Sequence, residues 1–143
     1  MKTATIYEHK DKLYVHGNSR TTAGVWLLSM PVLVVAKEQV GEVGRAIREC
    51  LAASRDGILH PTSFTNLFDP VIALAGVKSY GTFAKWAKCV EVETTGDAAV
   101  TLIPTRNEGV RGGFSPLRDK TVATLSSDEA LGSAAVLAIA ASE

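Results

Sequence analysis

The chain has 143 residues, 46% hydrophobic, 21% charged and 6% aromatic, and fifteen basic residues balance fifteen acidic ones for a formal net charge of zero. A chain of this length buries roughly two-thirds of its unfolded surface, enough for one core without metals or disulfides, and its charge balance argues against both a basic nucleic-acid binder and an acidic mimic of nucleic acid. The longest apolar stretches, 31–36 and 134–141, fall short of the roughly 20 residues that a membrane-spanning helix needs.

Residues 1–10 alternate polar and apolar and then turn charged, with no hydrophobic region or cleavage site, so a cytoplasmic protein starting near Met1 is expected. Thr3–Tyr7 and Lys12–His16 are short alternating runs joined by Glu8–Asp11, which predicts a hairpin. Asn18–Thr22 reads as a polar loop, followed by two strands, Gly24–Leu28 and Val32–Val35, divided by Ser29-Met30-Pro31. From Glu38 the period changes. Val40, Val43, Ile47 and Leu51 recur at helical steps, which predicts an amphipathic helix ending near Ser54 and closed by Arg55-Asp56-Gly57.

In the central stretch, Asp69 as N-cap, Pro70 at the first helical position and Gly76 as a stop frame a short helix. Ser79 caps a further turn or two holding Phe83 and Trp86. Cys89–Glu93 and Ala98–Ile103 read as a second hairpin joined by Thr94–Asp97. A long polar loop, Thr105–Gly113, leads to a strand at Thr121–Leu125. Ser126 and Glu129 then form a capping box for a last helix through about Ser142, apolar on more than one stripe and therefore buried.

Sliding Leu13–Ser54 onto Thr101–Ser142 without gaps superposes Gly24 on Gly112, Trp26 on Phe114, Val34 on Val122, Gly44 on Gly132 and Ala46 on Ala134. An internal duplication of a β-hairpin, strand and helix unit is the reading: one domain over 1–143, with halves of about 1–54 and 88–143 around a helical insert of about 55–87. The fold class expected is α+β, a mixed and mostly antiparallel sheet with helices packed on it.

Catalytic signals are sparse. His9, His16 and His60 share no local motif and read as surface or loop histidines, and there is no Walker pattern, nucleophile elbow or His-Glu-x-x-His. Cys50 and Cys89 lack the spacing of a zinc cage and read as buried, reduced thiols. No metal or other cofactor is expected. The two polar loops offer guanidinium forks, hydroxyls and amides that either bind a partner or merely shape turns. Lys78, Lys85 and Lys88 interleave with Tyr80, Phe83 and Trp86, a pattern that fits base stacking but at helical spacing fits core anchors better. Trp26 is either core or an exposed interface anchor.

The strings Asn18–Trp26, Leu74–Val90 and Pro104–Gly109 resemble those of bacterial contact-dependent growth inhibition (CDI) immunity proteins, over nearly the whole chain. The resemblance implies a small, cytoplasmic, non-enzymatic protein that binds the C-terminal toxin domain of its cognate effector and covers its active site or substrate surface. Many such toxins are nucleases whose immunity partners are acidic. The neutral charge here departs from that pattern and shifts recognition to local charges and aromatic anchors, without direct contact to nucleic acid or membrane. The expected partner contacts are Arg20, Thr21, Trp26, Arg106, Asn107, Glu108 and Arg111 on a sheet edge and the polar loops. If those strings are scaffold, the interface falls instead on helix positions such as Glu42, Arg45 and Glu49, or on the charged hairpin tip. Two other readings stand beside this one. Arg20 and Arg106 face each other across a cleft for a small anionic ligand or a hydrolytic substrate, or a free sheet edge serves assembly.

Overall fold

The computed structural model describes residues 1–95, 99–124 and 127–143. The strands are β1 (Lys2–His9), β2 (Lys12–Thr21), β3 (Trp26–Ala36), β4 (Asp56–Ile58), β5 (Lys88–Thr94), β6 (Val100–Asn107), β7 (Phe114–Pro116) and β8 (Val122–Thr124). The helices are α1 (Val40–Ala52), α2 (Asp69–Ala75), α3 (Tyr80–Ala84) and α4 (Asp128–Ala141), with a 3-10 turn at Arg118–Lys120. Strand order is β3-β2-β1-β5-β6-β7, with β8 antiparallel to β6 and, among the described residues, only β4 parallel, against β2. The sheet is thus mixed and mostly antiparallel, and the α+β class follows.

Alternation along the strands sorts two cores. Ala4, Ile6, Leu13, Val15, Val90, Val92, Val100 and Leu102 meet Val43, Ile47, Leu131, Ala135 and Ile139 of α1 and α4 on one face. Tyr7, Tyr14, Val32 and Phe114 meet Val71 of α2 and Phe83 of α3 on the other. The β1–β2 hairpin closes tightly because Lys10 and Asp11 both take positive φ, 49° and 65°, as a two-residue primed turn requires.

Tertiary pairing moves several expected boundaries. Asn18–Thr21 is strand, not loop, because Arg20 pairs with Trp26 of β3 on one side and Asp56 of β4 on the other. The same Asp56 belongs to a strand where only a helix stop was expected. Thr105–Asn107 likewise extends β6, held by β7 and by the C-terminus, whose Glu143 exchanges backbone bonds of 2.8 and 2.9 Å with Asn107 and Thr105. The two strands expected in 24–35 are one, β3, with Met30 and Pro31 set between the pairs Ser29↔Gly17 and Val32↔His16.

Caps shift by one residue. Phe68, not Asp69, is the α2 N-cap, while Asp69 sits in the first turn with Pro70. Ser127 caps α4, accepting from the Ala130 amide at 3.3 Å. The Ser126 of the expected capping box lies outside the described residues, as do Leu125 at the expected strand end and Gly96, Asp97 and Ala98 of the second hairpin. Gly76 in the left-handed conformation and Ser79 as cap match the sequence reading. Helix α4 buries a single stripe, Leu131, Gly132, Ala135, Ala138 and Ile139, and leaves Leu137 70% exposed, so its all-round apolar composition overstated its burial.

The offset that carries Leu13 onto Thr101 also relates the pairings. Leu13 faces Val35 and Thr101 faces Ala123; Tyr14 faces Val34 and Leu102 faces Val122. Helices α1 and α4 cross where each supplies a glycine to the other's backbone. A Cβ on Gly44 would overlap the Asp128 carbonyl and lie 2.7 Å from its Cα, and one on Gly132 would overlap the Val40 carbonyl. Under the same offset Val40 maps onto Asp128 and Gly44 onto Gly132.

Candidate functional site

Strands β2 and β6 run in opposite directions, because each of β1 and β5 between them is antiparallel to its neighbours. Their C-terminal ends therefore lie at opposite ends of the sheet, on the order of 20 Å apart along the strands at about 3.3 Å per residue. The seven expected contact residues divide accordingly: Arg20, Thr21 and Trp26 at one end, Arg106, Asn107, Glu108 and Arg111 at the other. Arg20 and Arg106 do not face each other, and the anion cleft that would join them is not formed.

At the first end Arg20 is committed. Its Nε and Nη2 donate to the Asp56 carboxylate at 2.9 and 2.6 Å, and its guanidinium lies 5.6 Å from the Trp26 ring centre. The pairing raises the arginine pKa and lowers that of Asp56, in each case chiefly through the hydrogen bond. Thr21 is buried; its Oγ1 accepts from the amides of Ala23 and Val25 at 3.2 Å each and lies 2.9 Å from His60 Nδ1, so it shapes the turn that delivers Trp26. Trp26 is half-buried and walls a groove of about 210 Å³ on sheet face left open by α2 and α3, with Thr3, Thr5, Asn18, Glu91 and Glu93. Burial, then the neighbouring Glu93 carboxylate, pushes the Glu91 pKa up, and Arg118 opposes the shift.

At the second end Asn107 is the organiser. Its Nδ2 donates to the carbonyls of Ala84 and Ala87 at 2.7 and 2.9 Å, and its Oδ1 accepts from the Gly109 amide at 2.9 Å. These bonds bracket Lys85 and Trp86. Trp86 is 76% exposed, against the expectation of a core anchor beside Phe83. Three-residue spacing places two side chains on one face only within a helix, and α3 ends at Ala84, before Trp86. Phe83, in contrast, is fully buried as expected.

Lys85 Nζ lies 5.3 Å from the Trp86 ring centre, and a shallow groove of about 330 Å³ runs beside that ring along Lys88, Asn107, Gly109 and Glu143. Arg106 donates to Glu143 Oε1 from Nε and Nη2 at 3.0 and 2.8 Å, while Lys120 reaches Oε2 at 2.8 Å. These cations hold the Glu143 carboxyl below its usual range. Glu108 and Arg111 are exposed on the adjoining loop.

The histidines depart from the expected surface positions. His9 is buried and stacks on Phe83 at 4.9 Å, and His16 is buried with Nδ1 donating to the Gly17 carbonyl at 2.9 Å and Nε2 without a partner. Burial lowers both pKa values. The strands carry them inward because each lies in register with the inward-facing set of β1 or β2. His60 alone remains in a loop, half-buried against Phe64. Cys50 and Cys89 are buried, free thiols; burial pushes Cys50 up to about 12 and Cys89 up further.

Among the described residues no three His, Cys, Asp or Glu side chains gather as a metal site, and no helix is long and apolar enough to cross a membrane. The two ends offer contact chemistry: an aromatic ring beside fixed charges on a rigid sheet.

A family model described as CDI immunity protein matches residues 2–142. Among solved structures, the fold is similar to a protein of unknown function from Neisseria meningitidis, at 16% identity and a TM-score of 0.81, covering 99% of this chain and 95% of that one. It is also similar to a chain of the CdiA-CT/CdiI toxin and immunity complex from Yersinia pseudotuberculosis, at 14% identity and a TM-score of 0.77, covering 99% and 97%. At these identities the likeness concerns the fold. No curated protein matches.

Proposed function

Since this chain belongs to the CDI immunity protein family, we propose that it binds the C-terminal toxin domain of its cognate effector in the cytoplasm and neutralises it by occluding the active site or substrate surface, without catalysing a reaction itself. The family match over residues 2–142 is the observation that carries this reading. The physical chemistry supports it. Arg20 and Arg106 are already matched to carboxylates, and both thiols are buried and held protonated. Such groups suit a rigid contact surface of about 800 Å² per partner better than turnover.

The expected contacts take two roles. Arg106, Glu108 and Arg111 present side chains to the partner with Asn107 positioning backbone beneath them, while Arg20, Thr21 and Trp26 hold the other end of the sheet together through Asp56 and the 22–25 turn. The test is co-expression with the toxin domain encoded beside the gene: growth is rescued and the two proteins elute as a stoichiometric complex. Failure of both with the cognate domain, or turnover of a substrate by the purified chain, overturns the reading.

A further inference from the structure

We infer that the Trp86 face, at the Asn107 end of the sheet, is where the toxin domain docks, and that the toxin meets it with an apolar pocket rimmed by carboxylates. The inference rests on the immunity reading above and specifies its surface and its partner's chemistry.

The first observation is a large ring held in water. Trp86 is 76% exposed, whereas Phe83, three residues earlier, is fully buried in an aromatic cluster with Tyr7 and Phe68, ring centres 5.4 to 5.5 Å apart. It is kept out by Asn107, whose amide fixes the Ala84 and Ala87 carbonyls on either side of it, and by Ala87, which is itself buried and pins the following residue. Holding an indole in solvent forgoes burial, and an anchor carried on backbone pinned on both sides loses little backbone freedom on binding. Both properties mark interface anchors.

The second observation is the charge around it. Lys85 and Lys88 form no ion pair with any described residue: Glu8, opposite Lys88 across β1 and β5, is taken by Lys37 at 2.9 Å, and the nearby Glu143 carboxylate is occupied by Arg106 and Lys120. The rim of this face is therefore cationic although the chain as a whole is neutral. A partner that desolvates Trp86 must bring carboxylates to Lys85 and Lys88 or leave both ammonium groups uncompensated. The opposite end differs in kind: Trp26 is half-buried beneath Arg20, and Arg20 is taken by Asp56.

The experiment measures binding of the purified cognate toxin domain, carrying an inactivating substitution, to four proteins: wild type, Trp86→Ala, Lys85→Glu/Lys88→Glu and Arg20→Ala. Circular dichroism and the urea midpoint are recorded for each, and both remain at wild-type values for Trp86→Ala because the ring supports no core. Trp86→Ala is expected to weaken binding at least about 30-fold, mainly through faster dissociation. The charge reversal is expected to slow association at least about tenfold and to abolish its weakening by salt. Arg20→Ala is expected to bind within about threefold of wild type.

Equal binding by wild type and Trp86→Ala overturns the docking face and leaves the immunity reading standing. Absence of binding and rescue by wild type removes the immunity reading, and the inference with it. Two further results overturn the inference in favour of another occupant: a wild-type dimer in analytical ultracentrifugation that Trp86→Ala dissociates while toxin binding persists, or single-stranded oligonucleotide binding lost in Trp86→Ala while toxin binding persists.

Discussion

Replacing Gly44 by alanine sets helix propensity against helix packing. Alanine in a helix interior is favoured over glycine by about 1 kcal/mol, so propensity alone makes Gly44→Ala stabilising. The crossing of α1 and α4 reverses the sign. The added methyl would overlap the Asp128 carbonyl and lie 2.7 Å from Asp128 Cα, where ordinary contact begins at about 3.4 Å, and the obstacle is backbone that no rotamer change removes. Relief of the overlap with the carbonyl requires the helices to part by more than about 1 Å, a gap that forfeits about half of each dispersion contact it opens along Val43, Ile47, Leu131 and Ala135. Overpacking of this kind costs about 1–3 kcal/mol, and with the separation spread along four buried side chains the upper half of that range applies. Net of propensity, Gly44→Ala is expected to lose about 1–2 kcal/mol, a fall in Tm of roughly 3–8 °C for a domain of this size. The assay is urea unfolding followed by circular dichroism, with m unchanged. Gly41→Ala is the control, because its methyl would meet only the Glu129 side chain at 3.5 Å, and it is expected to match wild type or gain up to about 1 kcal/mol from propensity. Combining Gly44→Ala with Gly132→Ala is expected to cost less than the sum, since one separation relieves both clashes. A Gly44→Ala protein as stable as wild type would refute the reasoning.

Three other outcomes follow from buried groups. Ser54 Oγ donates to the Asn18 carbonyl and accepts from the Thr3 amide at 3.1 Å, tying the end of α1 to β1 and β2; Ser54→Ala is expected to lower stability by about 1–2 kcal/mol, read as a lower urea midpoint. His16 is held neutral by burial, its folded pKa below the unfolded value of about 6.5. As pH falls through that value the unfolded chain gains a proton that the folded chain refuses. Stability therefore declines with acidification from about pH 6.5 toward the lower folded pKa, and His16→Gln flattens the decline; an unaltered slope would assign it to other groups. Cys50 and Cys89, buried and pushed up in pKa, are expected to resist iodoacetamide at about pH 8 in the native state and to react fully in urea, as mass spectrometry reports.

Elements whose pattern is local were legible. Helix α1 keeps Val43, Ile47, Cys50 and Leu51 on one face and β1 alternates, so period placed them, while β2 and β5 were legible from their runs of β-branched and aromatic residues. The end of β2 was hidden because Asn18, Ser19, Arg20 and Thr21 have loop composition. They hold a strand because distant partners satisfy each one: Thr5 bonds Asn18 at 2.9 Å, Ser29 and the Arg55 amide meet Ser19, Asp56 meets Arg20, and the 22–25 turn caps Thr21. Strand β4 has three residues and no pattern to read; only pairing with β2 defines it. Trp86 was misplaced for the converse reason, a helical period extended past the residue where α3 stops.

The resemblance strings themselves divide along physical lines. In Pro104–Gly109, Pro104 and Thr105 are buried and Thr105 Oγ1 donates to the Cys89 carbonyl at 2.6 Å. Arg106 holds Glu143, Asn107 clamps the residues flanking Lys85 and Trp86, and Gly109 takes a φ of +89° that other side chains resist. Nearly every residue of that string does its work inside the fold. Such residues build the scaffold, since their partners are backbone groups and the Glu143 carboxylate of the same chain. On the docking face proposed above, discrimination among toxins falls to what the scaffold displays there, the Trp86 ring with Lys85 and Lys88, neither of them in an ion pair with a described residue. An exposed ring flanked by two lysines can separate partners in this way, because burying it without complementary carboxylates desolvates two ammonium groups that nothing then pairs.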